Sequence, residues 1–182
     1  MPSSYVGLYD DAGSRNTFFR IVGNKRLGFK CFQDKDNADF AHRIQSGLAD
    51  MAMAPKVYGD VGRIRYAGEL TEWGYLTEVA KPMAECYDEE YCDGECFDSE
   101  CSNSINIQSV VWTLEKYHGL SYVDAHRANF GWIKRKSGNI LVPIDFGVES
   151  FGFVDEEIWG AIDWDCLTEH SCNCTACRYE SI

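Results

Sequence analysis

The stretch Tyr122-Val-Asp-Ala-His-Arg-Ala-Asn-Phe-Gly131, followed by Ile144-Asp-Phe-Gly147, constrains this chain more than any other feature. Asp124 stands five residues before Asn129, and Asp145 follows sixteen residues later in an Asp-Phe-Gly turn. Between them, residues 130–134 and 140–144 read as two short strands joined by the turn-forming Lys136-Ser-Gly-Asn139. A hairpin is one rigid unit that can supply two oxygen donors. An amide and a carboxylate held in this way suit a hard divalent cation such as Mg²⁺. The other carboxylate is then left to orient or deprotonate a hydroxyl. An Asp-Phe-Gly alone carries little information, whereas two ordered motifs around a hairpin carry much more.

These residues resemble the catalytic loop and metal-binding turn of the protein-kinase-like superfamily. The variant Asp-Ala-His-Arg-Ala-Asn is similar to the Asp-x-His-x-x-Asn loop of small-molecule kinases, such as aminoglycoside phosphotransferases, and of phage-encoded Ser/Thr kinases. Val123 stands where ordinary protein kinases carry Arg. The resemblance implies Asp124 as catalytic base, Asn129 and Asp145 as Mg²⁺ ligands, His126 as a loop-ordering residue and ATP as the phosphoryl donor. It also implies a hydroxyl acceptor, with a host protein as substrate or partner by analogy with phage kinases.

Upstream residues extend the pattern. Residues 5–9, 17–22 and 27–32 read as three strands, the last two joined by Gly23-Asn-Lys-Arg26. Lys30 lies inside the apolar third strand, where a solitary ammonium is costly without an anionic partner. By position it matches the family's ATP-phosphate lysine. Residues 36–51 have helical spacing at Phe40, Ile44, Leu48 and Met51, with Asn37 as a plausible cap. Pro55 then forces an extended lead into a fourth strand. Residues 72–80 would form a fifth strand running into the hinge, whose backbone from Glu78 to Ala80 binds adenine in such folds. The phosphate loop is thin: in Asp11-Ala-Gly-Ser-Arg-Asn16, only Gly13 and Ser14 offer turn amides to a phosphate, with Arg15 adding a charge. No Glu lies between Gln33 and Ala54, so the usual partner of the phosphate-binding lysine is missing; Asp39 is the nearest acid, while His42 and Gln45 hold the better register.

The chain has 182 residues, and 35 follow Gly147 without an Ala-Pro-Glu motif. One domain is the expectation: an α+β, minimal two-lobe protein-kinase-like fold. An antiparallel amino-terminal lobe would occupy about 1–80, an acidic cysteine-rich loop about 83–103, and a reduced helical carboxy-terminal lobe about 104–182. Residues 105–118 read as its supporting helix, with Ser104 as cap, Gly119 as stop, and a stripe of Ile107, Val110, Val111, Leu114 and Tyr117 or His118.

Eight of nine cysteines fall in two clusters: Cys86, Cys92, Cys96 and Cys101, and then Cys166, Cys172, Cys174 and Cys177, with His170 among the second set. No export-signal pattern follows Met1-Pro-Ser-Ser and no apolar run spans a membrane, which predicts a reducing cytoplasm, the host's if the chain is phage-encoded. Structural Zn²⁺, unoxidised thiols and disulfides all remain open for these cysteines. For zinc, Cys172, Cys174 and Cys177 with His170 or Cys166 are the favoured set, because only Cys174 and Cys177 have knuckle spacing; a site bridging both clusters is the other geometry. The net charge of −12 argues against nucleic acid and anionic membranes as partners. The missing helix Glu and thin phosphate loop keep a second function open, a pseudokinase or zinc-stabilised module that inhibits or recruits a partner.

Overall fold

The computed structural model describes residues 5–9, 18–21, 23–66, 68–86, 92, 96 and 101–152. In chain order the elements are β1 (Tyr5–Tyr9), β2 (Phe18–Ile21), β3 (Leu27–Phe32), α1 (Lys35–Asp50), β4 (Val57–Gly62), β5 (Arg65–Tyr66), β6 (Glu69–Leu70), β7 (Trp73–Glu78), β8 (Lys81–Pro82), α2 (Ser102–His118), β9 (Phe130–Arg135) and β10 (Gly138–Pro143). The chain is α+β: antiparallel sheets flanked by two long helices. A five-stranded sheet has the order β1-β2-β3-β7-β4, and a smaller one the order β10-β9-β8. The ribbon β5-β6 is inserted ahead of the strand expected over 72–80, so that strand is the seventh in sequence instead of the fifth.

Strand β3 is central in the larger sheet, and its alternation sends side chains to two buried faces. Phe32 and its neighbour Tyr75 on β7 stack at 5.7 Å beneath α1. Phe29 and Cys31 face the other way, against Ile21, Ile64 and Leu76. Close pairing of β3 with β7 depends on Gly74: a Cβ there would lie 1.9 Å from the Lys30 carbonyl oxygen.

Helix α1 begins one residue earlier than its spacing predicts. Its cap is Asp34, whose carboxylate accepts from the Asn37 N–H at 2.7 Å. Asn37 is therefore inside the helix, and its own Oδ1 accepts from the Val148 N–H at 3.2 Å, tying α1 to the segment after the Asp-Phe-Gly turn. The helix buries Ala38, Ala41, Ile44 and Leu48 against the sheet. Burying an Ile or Leu side chain stabilises by about 1.5–3 kcal/mol, so this stripe fixes α1 against β3 and β7.

Helix α2 starts at a Cys101 cap, not at Ser104: the Cys101 sulfur accepts from the Ser104 N–H at 3.3 Å. Gly119 ends it as the sequence implied, with a left-handed φ of 63°, and the Leu120 N–H returns to the Leu114 carbonyl at 3.1 Å. Ile107 and Leu114 are buried, with Val110 and Val111 packed against the core. Tyr117 is exposed and His118 half-buried, so the stripe ends on the second of the two residues its spacing allowed.

Two features hold the hairpin in place. Strand β8 pairs with β9 through Lys81–Trp132 and Pro82–Gly131, and Gly131 permits it: a Cβ there would come within 2.8 Å of the Ala80 Cβ. On the other side, Tyr122 bridges to Phe151, with the Val123 N–H on the Ser150 carbonyl at 2.9 Å and the Gly152 N–H on the Ser121 carbonyl at 2.8 Å. The chain before Asp124 is thereby fastened to the chain after Asp145.

Candidate functional site

The centre of the site is an ion pair between residues 115 positions apart in sequence: Lys30 Nζ donates to Asp145 Oδ1 at 2.7 Å. The same ammonium donates to the Ile144 carbonyl at 2.8 Å and lies 5.5 and 5.6 Å from the ring centres of Phe32 and Phe146. Side-chain exposure is 10% for Lys30 and 22% for Asp145, so the pair is largely shielded but not sealed from solvent. Burial opposes ionisation of Asp145. The Lys30 charge and hydrogen bond, with a longer one from the Gly147 N–H, outweigh it and hold the carboxyl below the ordinary carboxylate value. The Tyr122 hydroxyl donates to the Asp145 carbonyl at 3.0 Å, which fixes the backbone of the turn.

Asp124 and Asn129 form the second half. Asn129 Nδ2 donates to Asp124 Oδ2 at 2.7 Å and to the Asp124 carbonyl at 2.9 Å, so the amide oxygen of Asn129 points away from Asp124. His126 Nε2 lies 3.4 Å from Asp124 Oδ1, and the Asp124 side chain is 44% exposed. A 3-10 turn, Arg127–Asn129, leads directly into β9. The hairpin register places Phe130 opposite Pro143, and the Ile144 N–H donates to the Asn129 carbonyl at 2.8 Å. Asn129 is thus across the hairpin from Ile144, one residue from Asp145.

Helix α1 offers Lys30 no acid. Asp39 pairs with Lys35 on the surface. His42 reaches the Gly59 carbonyl at 2.8 Å and packs edge-on to Tyr75. Gln45 is buried and fully engaged: its Nε2 donates to Thr77 Oγ1 at 2.6 Å and the Pro55 carbonyl at 2.8 Å, while its Oε1 accepts from the Tyr75 hydroxyl at 2.8 Å. The anionic partner that Lys30 requires is Asp145 alone among these groups.

At the end of β7, the Glu78 N–H donates to the Lys56 carbonyl at 2.7 Å and the Val79 N–H to the Arg26 carbonyl at 2.8 Å. The Glu78 carboxylate is held by Arg135 in a two-pronged contact of 2.9 and 2.8 Å, and Arg135 also reaches the Ala54 carbonyl. Burial disfavours the charged Glu78, but the Arg135 hydrogen bonds and the Lys56 N–H together lower its carboxyl below the ordinary value. Ala80 lies between β7 and β8, beside Gly131. The Glu78–Arg135 fork was not foreseen from the sequence, where Arg135 follows Lys134 just beyond the strand read at 130–134.

Gly13 and Ser14 lie outside the described residues, as do Cys166, His170, Cys172, Cys174 and Cys177. The first cysteine cluster does come together. The sulfurs of Cys86, Cys92, Cys96 and Cys101 all lie within 4.8 Å of one another, a set that can hold a metal ion. The ninth cysteine, Cys31, is a core residue whose thiol burial pushes up to about 12. No helix among the described residues is long and apolar enough to cross a membrane.

Comparison with protein-family models finds none that matches the chain, and comparison with curated proteins finds no match. The functional reading therefore rests on the site itself.

Proposed function

We propose that this chain is an ATP- and Mg²⁺-dependent phosphotransferase of the protein-kinase-like, phage-type kind, acting on a hydroxyl acceptor in the cytoplasm. The observation that carries the reading is the Lys30–Asp145 contact at 2.7 Å, which draws the central strand and the Asp-Phe-Gly turn to one point. Asn129 follows it, one residue from that turn across the hairpin, and Asp124 hydrogen-bonds to Asn129. The insertion of α1 between β3 and β4 agrees with the same reading.

The donor set fits the group it would hold. Asp145 and the Asn129 amide oxygen are hard oxygen ligands suited to Mg²⁺, and Lys30 is a point charge suited to phosphate oxygens. Bound there, the magnesium triphosphate supplies the phosphoryl group. Lys30 lies beside the Asp145 carboxylate, so its ammonium would offset phosphate charge next to the residue that would hold the metal. Asp124 is half-exposed and steered by Asn129 and His126, so its carboxylate is available to accept the proton of an incoming hydroxyl. Protein Ser or Thr side chains, a host protein's among them, supply such hydroxyls.

The test is thermal unfolding with ATP and Mg²⁺, alongside ADP release in the presence of a mixed protein acceptor. A ligand at a hundred times its dissociation constant stabilises by about 2.7 kcal/mol. The unaltered protein should show a magnesium-dependent rise in melting temperature that Lys30→Ala and Asp145→Ala abolish. Asp124→Asn should keep the rise and lower turnover by a factor on the order of 10²–10⁴, the usual worth of a general base. A folded protein with no shift at millimolar ATP refutes the reading.

A second reading, a binding module without transfer activity, is favoured by Gln45. Its amide is spent on Tyr75, Thr77 and Pro55, and it leaves Lys30 without a helix-borne acid. A nucleotide-dependent melting shift with no turnover on any acceptor selects it.

A further inference from the structure

The cysteines between the hinge and α2 make a compact sulfur cage that the phosphotransferase reading does not use. Cys86 follows β8, Cys92 and Cys96 sit in the acidic loop, and Cys101 caps α2. Cys96 and Cys101 belong to the main core, and Cys86 and Cys92 pack against it. The four sulfurs lie within 4.8 Å of one another, with Cys92 and Cys96 at 3.3 Å.

Four thiolates around one Zn²⁺ at 2.3 Å occupy a tetrahedron with edges of about 3.8 Å. The observed separations bracket that value and need shifts of only about an ångström to reach it. A disulfide requires sulfurs at about 2.05 Å, far closer than the Cys92–Cys96 pair. An iron–sulfur cluster distributes its cysteines over several irons, which holds them further apart than a single ion does. Soft, all-sulfur, tetrahedral sites select zinc among common ions.

Two hydrogen-bond donors face the cage. The Ser104 N–H donates to Cys101 Sγ at 3.3 Å, at a helix N-terminus where negative charge is stabilised. Asn103 Nδ2 reaches Cys96 Sγ at 3.8 Å while also holding the Ala84 carbonyl at 3.1 Å. Thiols are weak acceptors, so donors aimed at two of the four sulfurs are more effective if those sulfurs are thiolates. The stretch 85–100 has eight carboxylates and no Lys or Arg.

We propose that Cys86, Cys92, Cys96 and Cys101 bind one structural Zn²⁺. The four ligands close the coordination shell, which makes the site structural instead of catalytic. The metal fastens the post-hinge loop to the first turn of α2, and α2 packs in turn on β10 and the turn that carries Asn129. The inference does not depend on the phosphotransferase reading.

The experiment is metal analysis of the full chain purified without chelator. The expected result is one zinc per chain, falling more than tenfold in Cys86→Ser and in Cys101→Ser. It should remain in a Cys172→Ser/Cys174→Ser/Cys177→Ser variant. Two zinc ions that drop to one in that triple variant support the same site. If a single substitution prevents folding, Co²⁺ exchange into the unaltered protein decides: tetrahedral thiolate ligation gives strong visible bands and an intense sulfur-to-metal transition in the near ultraviolet. Zinc lost only from the triple variant overturns the proposal. So do iron in place of zinc, a Cys92–Cys96 disulfide by mass, or metal-free protein that binds neither Zn²⁺ nor Co²⁺.

Discussion

Replacing Lys30 by Met removes the charge of the central ion pair while keeping the length and most of the volume of the side chain. Asp145 then loses its 2.7 Å hydrogen bond and its counter-ion, and keeps the longer 3.4 Å contact from the Gly147 N–H. Stranding one member of a fully buried pair costs about 3–5 kcal/mol. The 22% exposure of the Asp145 side chain lets water reach part of it; scaling the full penalty down for that solvation gives about 2–3 kcal/mol. For a chain of this size each kcal/mol lowers the melting temperature by about 2–4 °C, so the expected fall is about 4–12 °C. Adding Asp145→Asn to Lys30→Met removes the stranded charge, and the double variant should recover at least about 1 kcal/mol relative to the sum of the single ones. Urea unfolding followed by tryptophan fluorescence, without nucleotide, measures all four proteins. A Lys30→Met variant within about 0.5 kcal/mol of the parent, or a strictly additive double variant, would refute the claim that the pair is coupled.

Other expectations follow from the same contacts. The Glu78 carboxyl is held below its ordinary value of 4.5, so its contribution is full above that pH and is lost as pH falls through the lowered value; Glu78→Gln should be less stable at pH 7 and show a shallower acid limb in a pH series of melting temperatures. Arg135→Lys keeps the charge but loses the fork on Glu78, so it should cost about 1–3 kcal/mol by urea unfolding. Gly74→Ala places a Cβ 1.9 Å from the Lys30 carbonyl; the central pairing must open, and circular dichroism should show a loss of cooperative melting. Gln45→Glu turns the donor facing the Pro55 carbonyl into an acceptor, so about 1–3 kcal/mol should be lost by the same unfolding assay. Turnover should not rise, because the new carboxylate meets Tyr75 and Thr77, not Lys30.

The strands and helices were readable wherever period and punctuation agreed. Leu27–Phe32 and the hairpin strands announce themselves by apolar residues between Gly and Asn turns, and Gly119 ends α2 because it tolerates a φ of 63°. Caps were less legible: Asn37 and Ser104 have the right chemistry, yet Asp34 and Cys101 occupy the positions from which a side chain reaches the third N–H. Tyr117 fits the helical stripe by spacing but is exposed.

The sequence by itself determined the inventory of the site: a lysine stranded in an apolar strand, an Asp and an Asn just before the first strand of a hairpin, and an Asp just after its second. Those choices are local, since burial cost and turn chemistry are written in each residue and its neighbours. Which charge answers Lys30 was decided by tertiary structure, because a counter-ion 115 positions away leaves no periodic trace. The same holds for Gln45, whose three partners come from β7 and the chain before β4. It holds most clearly for the cysteines. The spacing favoured the carboxy-terminal cluster, which lies outside the described residues; among the described residues the fold gathers Cys86, Cys92, Cys96 and Cys101, separated by intervals too irregular to read as a knuckle. Sulfur ligands meet in space, and a chain can bring them there through loops of any length that closes at modest entropic cost.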